Sequence, residues 1–481
     1  MNISDKYEAV IGLEVHAQLL TKSKIFASDD TTFGRMPNTQ VSSITLALPG
    51  TLPKVNKNVV EMAIKMGLAC NCHIAPYTIF SRKNYFYADS PKGYQISQDK
   101  FPICEGGFVE IEVAGIKKKI TLTRIHLEED AGKNNHEIDN RFSMIDLNRS
   151  GVPLIEIVTD PVIRNSEEAY AYVTEIRKLG RYLDICDGNM EEGSMRCDAN
   201  ISIRKKGETI LNTRVEVKNM NSIRNVKRAI DGEIKRQIEL VEKGEQVIQQ
   251  TRSFDPTDGS TFPLRSKESA HDYRYFPEPD LPPILISSEF IDEIKSKMPP
   301  LPKDLFNQFV KKYNLTDYAA KVLTDEKETA LYFLELAKGT TNYKSAANWI
   351  LGEIKSFLNE SDIQMKDFKV SPNSIVELIN LLDENYINSG SAKKIFLEIA
   401  NGENGSAKSI AEKLNLIQSD DKQQLLQWIN QTLEKNPEKV TEYKKGKKGI
   451  LGLFMGDIMK LSQGKADPKL TTILLQDLLN K

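Results

Sequence analysis

The stretch Ala9-Val-Ile-Gly-Leu-Glu-Val-His-Ala-Gln-Leu19 alternates between two kinds of side chain. Every second residue from Ala9 to Leu19 is aliphatic or alanine, a period of two that is typical of a β-strand with one buried face. Because side chains alternate across a strand, Glu14 and His16 are expected side by side on the opposite face. The stretch therefore predicts a strand that carries potential metal ligands behind a hydrophobic core.

Two further segments are expected to present acids beside basic groups in the same way. The segment 120–129 is expected to place five residues on one face: Ile120, Leu122, Arg124, His126 and Glu128. The segment 214–218 is expected to set Glu216 between Arg214 and Lys218. One interpretation of such faces is solvated strands with cross-strand ion pairs. Glycines near the acid clusters, at Gly12, Gly132 and Gly193, favour the other, in which the backbone approaches a ligand.

The fold class predicted for the first part of the chain is α+β. Val109, Ile111 and Val113 alternate before an Ala-Gly turn at 114–115, which is typical of a hairpin strand. Helices are predicted between the strands, one from Ser166 as N-cap to Leu183, and one from Ser222 to a stop at Gly244. Interleaved strands and helices of this kind form a mixed sheet covered by helices.

The rest of the chain reads as helical after the proline-rich stretch Pro277–Pro302. Gly, Asn and Ser punctuate it at 388–391 and 401–406, so we expect three domains, at 1–294, 295–405 and 406–481. The last is expected to be a small helical tail domain with Trp428 as an anchor of its core, beside Leu425, Leu426 and Ile429.

Composition restricts the partners and the compartment. The 481 residues hold 65 basic and 67 acidic side chains, so RNA contacts must come from local patches rather than bulk charge. Lys444-Lys-Gly-Lys-Lys448 is such a patch, or else a solvated loop. Five cysteines without framework spacing and a polar beginning favour a reducing, cytoplasmic setting. No apolar run approaches the roughly 20 residues that span a bilayer, so no membrane association is expected.

The ligand types favour magnesium over zinc. Carboxylates with one imidazole, beside Lys and Arg, suit Mg²⁺ that holds the phosphates of a nucleotide. The sequence has neither a Walker lysine loop nor a kinase glycine-rich loop, so any ATP site is of another kind. Cys70, Cys72, His73 and Cys104 have zinc-ligand chemistry without paired spacing, which leaves buried thiols as the alternative.

Eight motifs carry a resemblance to a known family, the B subunits of tRNA-dependent amidotransferases. They are Glu8-Ala-Val-Ile-Gly-Leu-Glu-Val-His16, Leu48-Pro-Gly-Thr-Leu-Pro53, Phe80-Ser-Arg-Lys-Asn-Tyr-Phe-Tyr87 with Lys92-Gly-Tyr-Gln-Ile-Ser-Gln98, Leu127-Glu-Glu-Asp-Ala-Gly-Lys133, Asp146-Leu-Asn-Arg-Ser-Gly-Val-Pro-Leu-Ile-Glu156, Met190-Glu-Glu-Gly-Ser-Met-Arg-Cys-Asp-Ala-Asn200, Val215-Glu-Val-Lys-Asn-Met-Asn-Ser222 and His271-Asp-Tyr-Arg-Tyr-Phe-Pro-Glu-Pro-Asp280. The stretch Gly452-Leu-Phe-Met-Gly-Asp-Ile-Met-Lys460 is similar to the tail of that family.

The resemblance implies a kinase-like, cradle-shaped domain, a helical domain and a tail that touches tRNA. It also implies an amidase A subunit and a small C subunit as partners in a heterotrimer. The implied reaction uses ATP and Mg²⁺ to phosphorylate the side-chain carboxylate of Glu-tRNA(Gln) or Asp-tRNA(Asn), and ammonia from the partner amidase then completes the amide.

The resemblance also assigns roles to residues. The metal region is expected to comprise Glu14, His16, Glu128, Glu129 and Glu216, of which Glu14, His16 and Glu216 are the strongest candidates. Metal ligands are expected at Glu14, His16, Glu129 and Glu216, and catalytic roles at Glu128, Glu129 and Glu216. Cofactor contacts are expected at Arg82, Lys83, Tyr85, Ser194, Lys218 and Asn219. The tRNA 3′ end is an alternative partner for Arg82 and Lys83, and metal-bound water is one for Ser194 and Asn219. Turn or capping roles remain open for Asn221 and Ser222, and packing over the sheet remains open for the tyrosines at 85, 87 and 94.

Two other functions remain open from the sequence. The first is a tRNA-binding scaffold that has no catalytic activity of its own. The second is a magnesium-dependent ligase that acts on a free amino acid. No amidase signature is present, so glutamine hydrolysis is expected on another chain.

Overall fold

The computed structural model describes residues 6–135, 141–266, 273–418, 421–462 and 464–480. The chain divides into two compact units, 1–301 and 302–481. The division adds no boundary near 405, and the predicted domain limits stay predictions.

The first unit is built on a ten-stranded mixed sheet in the order β15-β14-β13-β12-β1-β11-β8-β6-β2, with β7 paired to β8. The β13–β14 pair is parallel, and the pairs β12–β1, β1–β11 and β11–β8 are antiparallel. The strands are β1 Tyr7–Gln18, β2 His73–Ile74, β3 Tyr77–Thr78, β4 Ser81–Asn84, β5 Tyr94–Ser97, β6 Cys104–Glu105, β7 Phe108–Val113, β8 Ile116–Glu129, β9 Lys133–Asn135, β10 Met144–Asp146, β11 Pro153–Thr159, β12 Met195–Lys205, β13 Val215–Lys218, β14 Gln250–Phe254, β15 Thr261–Ser266, β16 Phe276–Pro277 and β17 Ile284–Leu285. This mixed sheet with helices confirms the predicted α+β class.

Helices cover one face of the sheet. They are α1 Lys57–Ala69, α2 Ser166–Tyr182, α3 Ile223–Glu242 and α4 Ser288–Ser296. The aliphatic set of β1 is buried in one core with Val173 and Ile176 of α2 and Val226 and Ile230 of α3. The helices therefore take up the apolar side of β1, and the side that carries Glu14 and His16 faces away from this core.

The prediction for residues 120–129 is wrong in its first part. Ile120 and Leu122 lie in the helix-covered core together with Ile125 and Leu127, so the alternation changes within β8. Against β11, Val158 pairs with Arg124 but Thr159 pairs with Leu122, which leaves Thr123 as an extra residue. A β-bulge of this kind shifts the parity of the side chains that follow it. His126 and Glu128 keep the predicted shared face because they lie on the same side of the bulge.

The ends of the two long helices follow local hydrogen bonds. The side chain of Asn165, not that of Ser166, accepts from the amide of Glu168 and caps α2, so the predicted N-cap is wrong by one residue. Ser222 caps α3 as predicted, by accepting from the amide of Asn225. The helix stops before Gly244, whose φ of +80° suits glycine.

The second unit is helical among its described residues. Its α-helices are α5 Pro302–Lys311, α6 Asp317–Leu323, α7 Lys327–Gly339, α8 Tyr343–Trp349, α9 Lys355–Ser361, α10 Pro372–Asp383, α11 Ser389–Ala400, α12 Ala407–Lys413, α13 Lys422–Lys435, α14 Pro437–Lys444, α15 Leu451–Leu461 and α16 Pro468–Asn480, and a π-helical turn, Ile350–Ile354, joins α8 to α9. Helices α13 to α16 bury a cluster of their own around Leu425, Ile429 and Phe454. Trp428 packs at the edge of this cluster and is only partly buried.

Candidate active site

The polar face of the sheet is organised as rows of residues in register across neighbouring strands. One row runs from His126 on β8 to Glu156 on β11, His16 on β1 and Arg196 on β12. Directly opposite residues on one face of an antiparallel pair have Cβ atoms about 5 Å apart. The row therefore brings two imidazoles and a carboxylate into contact.

The first cluster consists of His16, Glu128 and Glu156, whose ligand atoms all lie within 4.8 Å of one another. His16 Nε2 lies 3.4 Å from Glu156 Oε2 and 3.6 Å from Glu128 Oε1. The Ser97 hydroxyl donates to Glu128 Oε2 at 3.4 Å. One imidazole and two carboxylates within this distance could hold a divalent cation.

The second cluster consists of Glu14, Asp198 and Glu216, which also have ligand atoms within 4.8 Å of one another. Its members are held by neighbours on the sheet. Asn200 Nδ2 donates to Glu14 Oε1 at 2.9 Å, and Thr251 Oγ1 donates to Glu216 Oε2 at 2.7 Å. Asn200, Glu216 and Thr251 occupy one row across β12, β13 and β14. These bonds fix the carboxylates that they contact.

Two lysines have their pKa raised by the carboxylates of these clusters. Lys218 Nζ donates to Asp198 Oδ2 at 2.7 Å and lies 3.2 Å from Glu216 Oε1. Burial lowers the pKa of Lys218, but Asp198 and Glu216 outweigh burial and raise that pKa above its usual value. Lys83 on β4 is subject to the same opposition: burial lowers its pKa, but nearby acids, Glu128 foremost, raise it. Both side chains are therefore held as cations beside the carboxylates.

The charged residues on the polar face of the sheet shift one another's pKa values. Burial, and then the neighbouring Glu156 and Asp198, raise the pKa of Glu14 above its usual value. Burial lowers the pKa of His16, but the hydrogen bond and charge of Glu156 outweigh it and raise that pKa to about 9. Burial raises the pKa of Glu156, but His126 and His16 hold it well below its usual value. Glu156 is thus ionised, and the face favours a cation.

Glu129 does not join either cluster. It follows Glu128 in β8, and successive side chains of a strand point to opposite faces. Its carboxylate pairs with Lys92, and its Oε1 accepts from the amide of Ile96 at 2.8 Å. The geometry therefore does not support the metal role predicted for Glu129.

Arg82 is also placed elsewhere. Its guanidinium makes two hydrogen bonds to Glu278, at 2.6 and 2.7 Å, and lies over the ring of Tyr94, 4.3 Å from the centroid. These contacts link β4 to the chain that follows β16. Arg82 and Lys83 are consecutive, so only Lys83 is directed at the acid face.

Three other residues predicted at the ATP site have structural partners. Ser194 Oγ donates to Asp187 Oδ1 at 2.6 Å, and Asn219 Nδ2 donates to Ser253 Oγ at 2.9 Å. Tyr85 packs against Tyr87 with ring centroids 5.9 Å apart, and burial raises its pKa to about 12. Their contacts with a nucleotide stay predictions.

Sequence reasoning missed Glu156, Asp198 and the contact of His126 with Glu156. Glu156 is the single charged residue in the apolar run 154–158, which has no alternation that would place it on a polar face. Residues 195–201 do show a period of two, with Asp198 on the polar side. What was lacking was the register that brings these strands beside β1.

The glycines near the acid clusters were predicted to let the backbone approach a ligand, but Gly132 is crowded by other residues of the chain. A Cβ there would lie 3.0 Å from the carbonyl oxygen of Asp89 and 2.9 Å from the side chain of Leu147. The approach is to the protein's own chain, since the Gly132 amide donates to Asp89 O at 2.9 Å.

The cysteines offer no metal centre in the described part of the chain. Cys70 and Cys104 are buried, and burial raises the pKa of both thiols, which disfavours the thiolate that zinc requires. Neither cluster of potential ligands found among the described residues contains a cysteine. His271 and Asp272, which begin the last front-half motif, lie outside the described residues.

Comparison with known proteins gives consistent matches. Residues 9–292 match the family described as GatB/GatE catalytic domain, and residues 331–479 match the family described as GatB domain. The chain is similar to proteins named as the B subunit of aspartyl/glutamyl-tRNA(Asn/Gln) amidotransferase. The protein of Thermodesulfovibrio yellowstonii is 48% identical over 99% of this chain and 100% of its own length. The protein of Caldanaerobacter subterraneus is 46% identical over 99% of this chain and 100% of its own length. The protein of Trichlorobacter lovleyi is 48% identical over 98% of this chain and 99% of its own length.

Within the described part of the chain, no helix has both the length and the apolar character needed to cross a bilayer.

Proposed function

The chain belongs to the GatB family of amidotransferase B subunits, and from that premise we propose that it activates the side-chain carboxylate of an aminoacyl-tRNA with ATP. The substrates are Glu-tRNA(Gln), Asp-tRNA(Asn) or both, and the products are Gln-tRNA(Gln) and Asn-tRNA(Asn). The activity is that of a ligase that forms a carbon–nitrogen bond with glutamine as the amido donor.

The observation that supports this proposal is the pair of ligand clusters on one face of the central sheet. His16, Glu128 and Glu156 form one, Glu14, Asp198 and Glu216 form the other, and each has its ligand atoms within 4.8 Å. Oxygen ligands of this kind, with a single imidazole, fit Mg²⁺ better than a thiolate-preferring metal. Residues from both clusters would hold it.

The chemistry explains why such a face is needed. Ammonia cannot displace an oxide from a carboxylate at neutral pH, whereas phosphorylation of the carboxylate supplies a leaving group. Phosphoryl transfer depends mainly on positioning and charge neutralisation. Mg²⁺, when bound, supplies neutralisation of the phosphate oxygens.

This chain's own cations complete the arrangement. Lys83 and Lys218 lie beside the clusters and are both held protonated by carboxylates. Lys218 can exchange its carboxylate contact for a phosphate oxygen, and the charge of Lys83 can attract another, so that both orient the nucleotide. Tyr85, Ser194 and Asn219 remain candidates for its base, ribose or bound water.

The partners follow from what this chain does not carry. It has no amidase signature, so ammonia must come from another subunit. The relatives are named as B subunits, which places them in complexes with other subunits. We propose an amidase A subunit and a small C subunit as those partners, in the cytoplasm.

Glu216→Gln tests the activation step. The substitution keeps the shape of the side chain and the acceptor oxygen for Thr251 but removes a negative ligand. We expect amidation of Glu-tRNA(Gln) or Asp-tRNA(Asn) by the co-purified complex to fall by about 100-fold or more, since a lost charge interaction with a metal is worth several kcal/mol. The measurement is the amino acid found on the tRNA after incubation with ATP and glutamine.

Glutamine hydrolysis in the same complex is the control and should largely persist, because it takes place on the partner. Glu110→Gln, on the hairpin of β7 and β8, is a matched control that should leave both activities unchanged. Near-normal amidation by Glu216→Gln at ordinary Mg²⁺ concentration would instead favour a scaffold role, in which the acid face is structural.

A further inference from the structure

His126 lies beside the first cluster without belonging to it. The side chain is only 3% exposed, and its Nε2 lies 3.1 Å from Glu156 Oε2 and 4.0 Å from Glu128 Oε2. Its other ring nitrogen, Nδ1, is buried and has no hydrogen-bond partner among the described residues. The imidazole therefore makes its polar contact on one side only.

This arrangement determines where the imidazole carries its proton. A neutral histidine has one N–H and one lone pair. With the proton on Nδ1, a buried N–H would have no acceptor and the Nε2 lone pair would face a carboxylate. Both are unfavourable, so the neutral imidazole carries its hydrogen on Nε2, which lies 3.1 Å from Glu156 Oε2.

We propose that His126 is a positioning residue, which orients Glu156 for divalent-cation binding by donating its Nε2–H to Oε2. The inference rests on the proposed function, in which Glu156 is a ligand. A glutamate has three rotatable side-chain bonds, and the β8–β11 register places His126 directly opposite it. The hydrogen bond restricts those rotations and leaves the remaining carboxylate lone pairs to the cation.

The structure also separates the tasks of the two histidines. His16 belongs to the ligand cluster, whereas His126 does not. Both are in register with Glu156, one from each side. His16 is thus suited to contact a cation, and His126 to hold the ligand that contacts it.

The test is the affinity of the co-purified complex for Mn²⁺ alone, measured from the free ion by electron paramagnetic resonance. Three variants separate the contributions: His126→Gln keeps an amide N–H at about the reach of Nε2, His126→Asn places its amide near the Nδ1 position, and His126→Leu has no donor. Loss of a partner that orients a ligand typically costs about 10- to 100-fold in metal affinity. We expect that loss in Asn and Leu, and near-normal affinity in Gln.

Thermal unfolding without metal and glutamine hydrolysis serve as controls for folding and assembly. Wild-type Mn²⁺ affinity in the Leu and Asn variants would overturn the inference. So would an equal loss in all three, because the Nε2 donor would then not be what matters.

Two reference variants distinguish this failure from failure of the proposed function. His16→Ala and Glu156→Gln should each weaken Mn²⁺ binding by at least the same factor. If they do and the His126 series does not, only the positioning role is wrong. If neither affects Mn²⁺ binding, the proposed metal site is wrong and the positioning role falls with it.

Discussion

At the scale of single residues, the candidate site is a problem of charge. Five carboxylates belong to the two clusters, and Lys83 and Lys218 are the lysines whose pKa these acids raise. The raised pKa of Glu14 reflects burial and then repulsion from Glu156, Asp198 and Glu216. A divalent cation relieves it more effectively than a proton on one carboxylate, because it neutralises several oxygens together.

Lys24, in the same unit, allows the effect of burial on a lysine pKa to be tested through the pH dependence of stability. Its Nζ is buried and donates to the carbonyls of Gln40 and Leu147, at 2.8 and 3.3 Å, and burial lowers its pKa to about 8. Between that value and the usual pKa of 10.5, the unfolded chain binds more protons, so stability rises with pH. Relative to Lys24→Met, the wild type should gain roughly 2 kcal/mol in free energy of unfolding from about pH 7 to about pH 10.

Chemical denaturation of the first unit's transition at several pH values measures this difference. Lys22→Met, at an exposed lysine two residues away, is the matched control and should show no such trend. A difference between wild type and Lys24→Met that stays constant across this pH range would contradict the assignment.

At the scale of elements, the bulge in β8 decides which side chains reach the site. Ile120 and Leu122 before the bulge, and Ile125 and Leu127 after it, all point into the core. Without the extra residue Thr123, regular alternation would put these two pairs on opposite faces of the strand. His126 and Glu128 could then share the polar face only if Ile120 and Leu122 left the core. The bulge lets a single long strand pack against the helices at both ends and still carry ligands at one of them.

Deletion of Thr123 should therefore be strongly destabilising. Regular alternation would move either Ile120 and Leu122 or Ile125 and Leu127 out of the core. At about 1.5–3 kcal/mol for each buried aliphatic side chain, the loss is about 3–6 kcal/mol. Thr123→Ala, which removes only the 2.8 Å hydrogen bond to Asp160, should cost about 1 kcal/mol or less. Denaturation midpoints of the two variants give the comparison, and equal midpoints would show that the bulge is dispensable.

At the scale of the whole molecule, the second unit contains a separate cluster in helices α13 to α16. Helix α12 does not belong to it, since Ala407 donates its amide to Glu377 Oε2 at 2.8 Å and α12 packs on α10 and α11. A truncation before Ala407 removes this packing as well as the tail. One after Gln418 leaves α12 in place and isolates the contribution of the last helices.

The tail is predicted to increase the affinity for tRNA without contributing to phosphoryl transfer. Both truncations should raise the apparent KM for the mischarged tRNA while glutamine hydrolysis in the assembled complex persists. Neutralising the exposed lysines 444, 445, 447 and 448 together should give a milder defect. The salt dependence of tRNA binding should also become shallower, by about one unit of slope for each phosphate that the lysines no longer neutralise.

Binding of tRNA measured at several salt concentrations checks this. Neutralising Lys303, Lys311, Lys321 and Lys327 instead, in the helices that precede the tail, keeps the number of charges removed the same. If the truncated and full-length chains bind tRNA equally at all salt concentrations, the tail has a structural role or serves another partner.

Local sequence determined the two faces of strand β1 and the two ends of helix α3. The period of two in residues 9–19 gave β1 its buried and polar faces, and Ser222 and Gly244 bounded α3, because alternation and capping depend only on neighbours along the chain. The same alternation placed Glu14, His16 and Glu216 on polar strand faces, and the family resemblance then selected them as metal ligands.

Only the tertiary structure decided which strands lie side by side. Glu156 and Asp198 reach the site because β11 and β12 flank β1 in a particular register, and Glu129 lies outside both clusters because successive side chains of β8 point to opposite faces. The bulge at Thr123 was equally hidden, since it exists only relative to β11. Register depends on hydrogen bonds between residues far apart in sequence, so no local pattern specifies it.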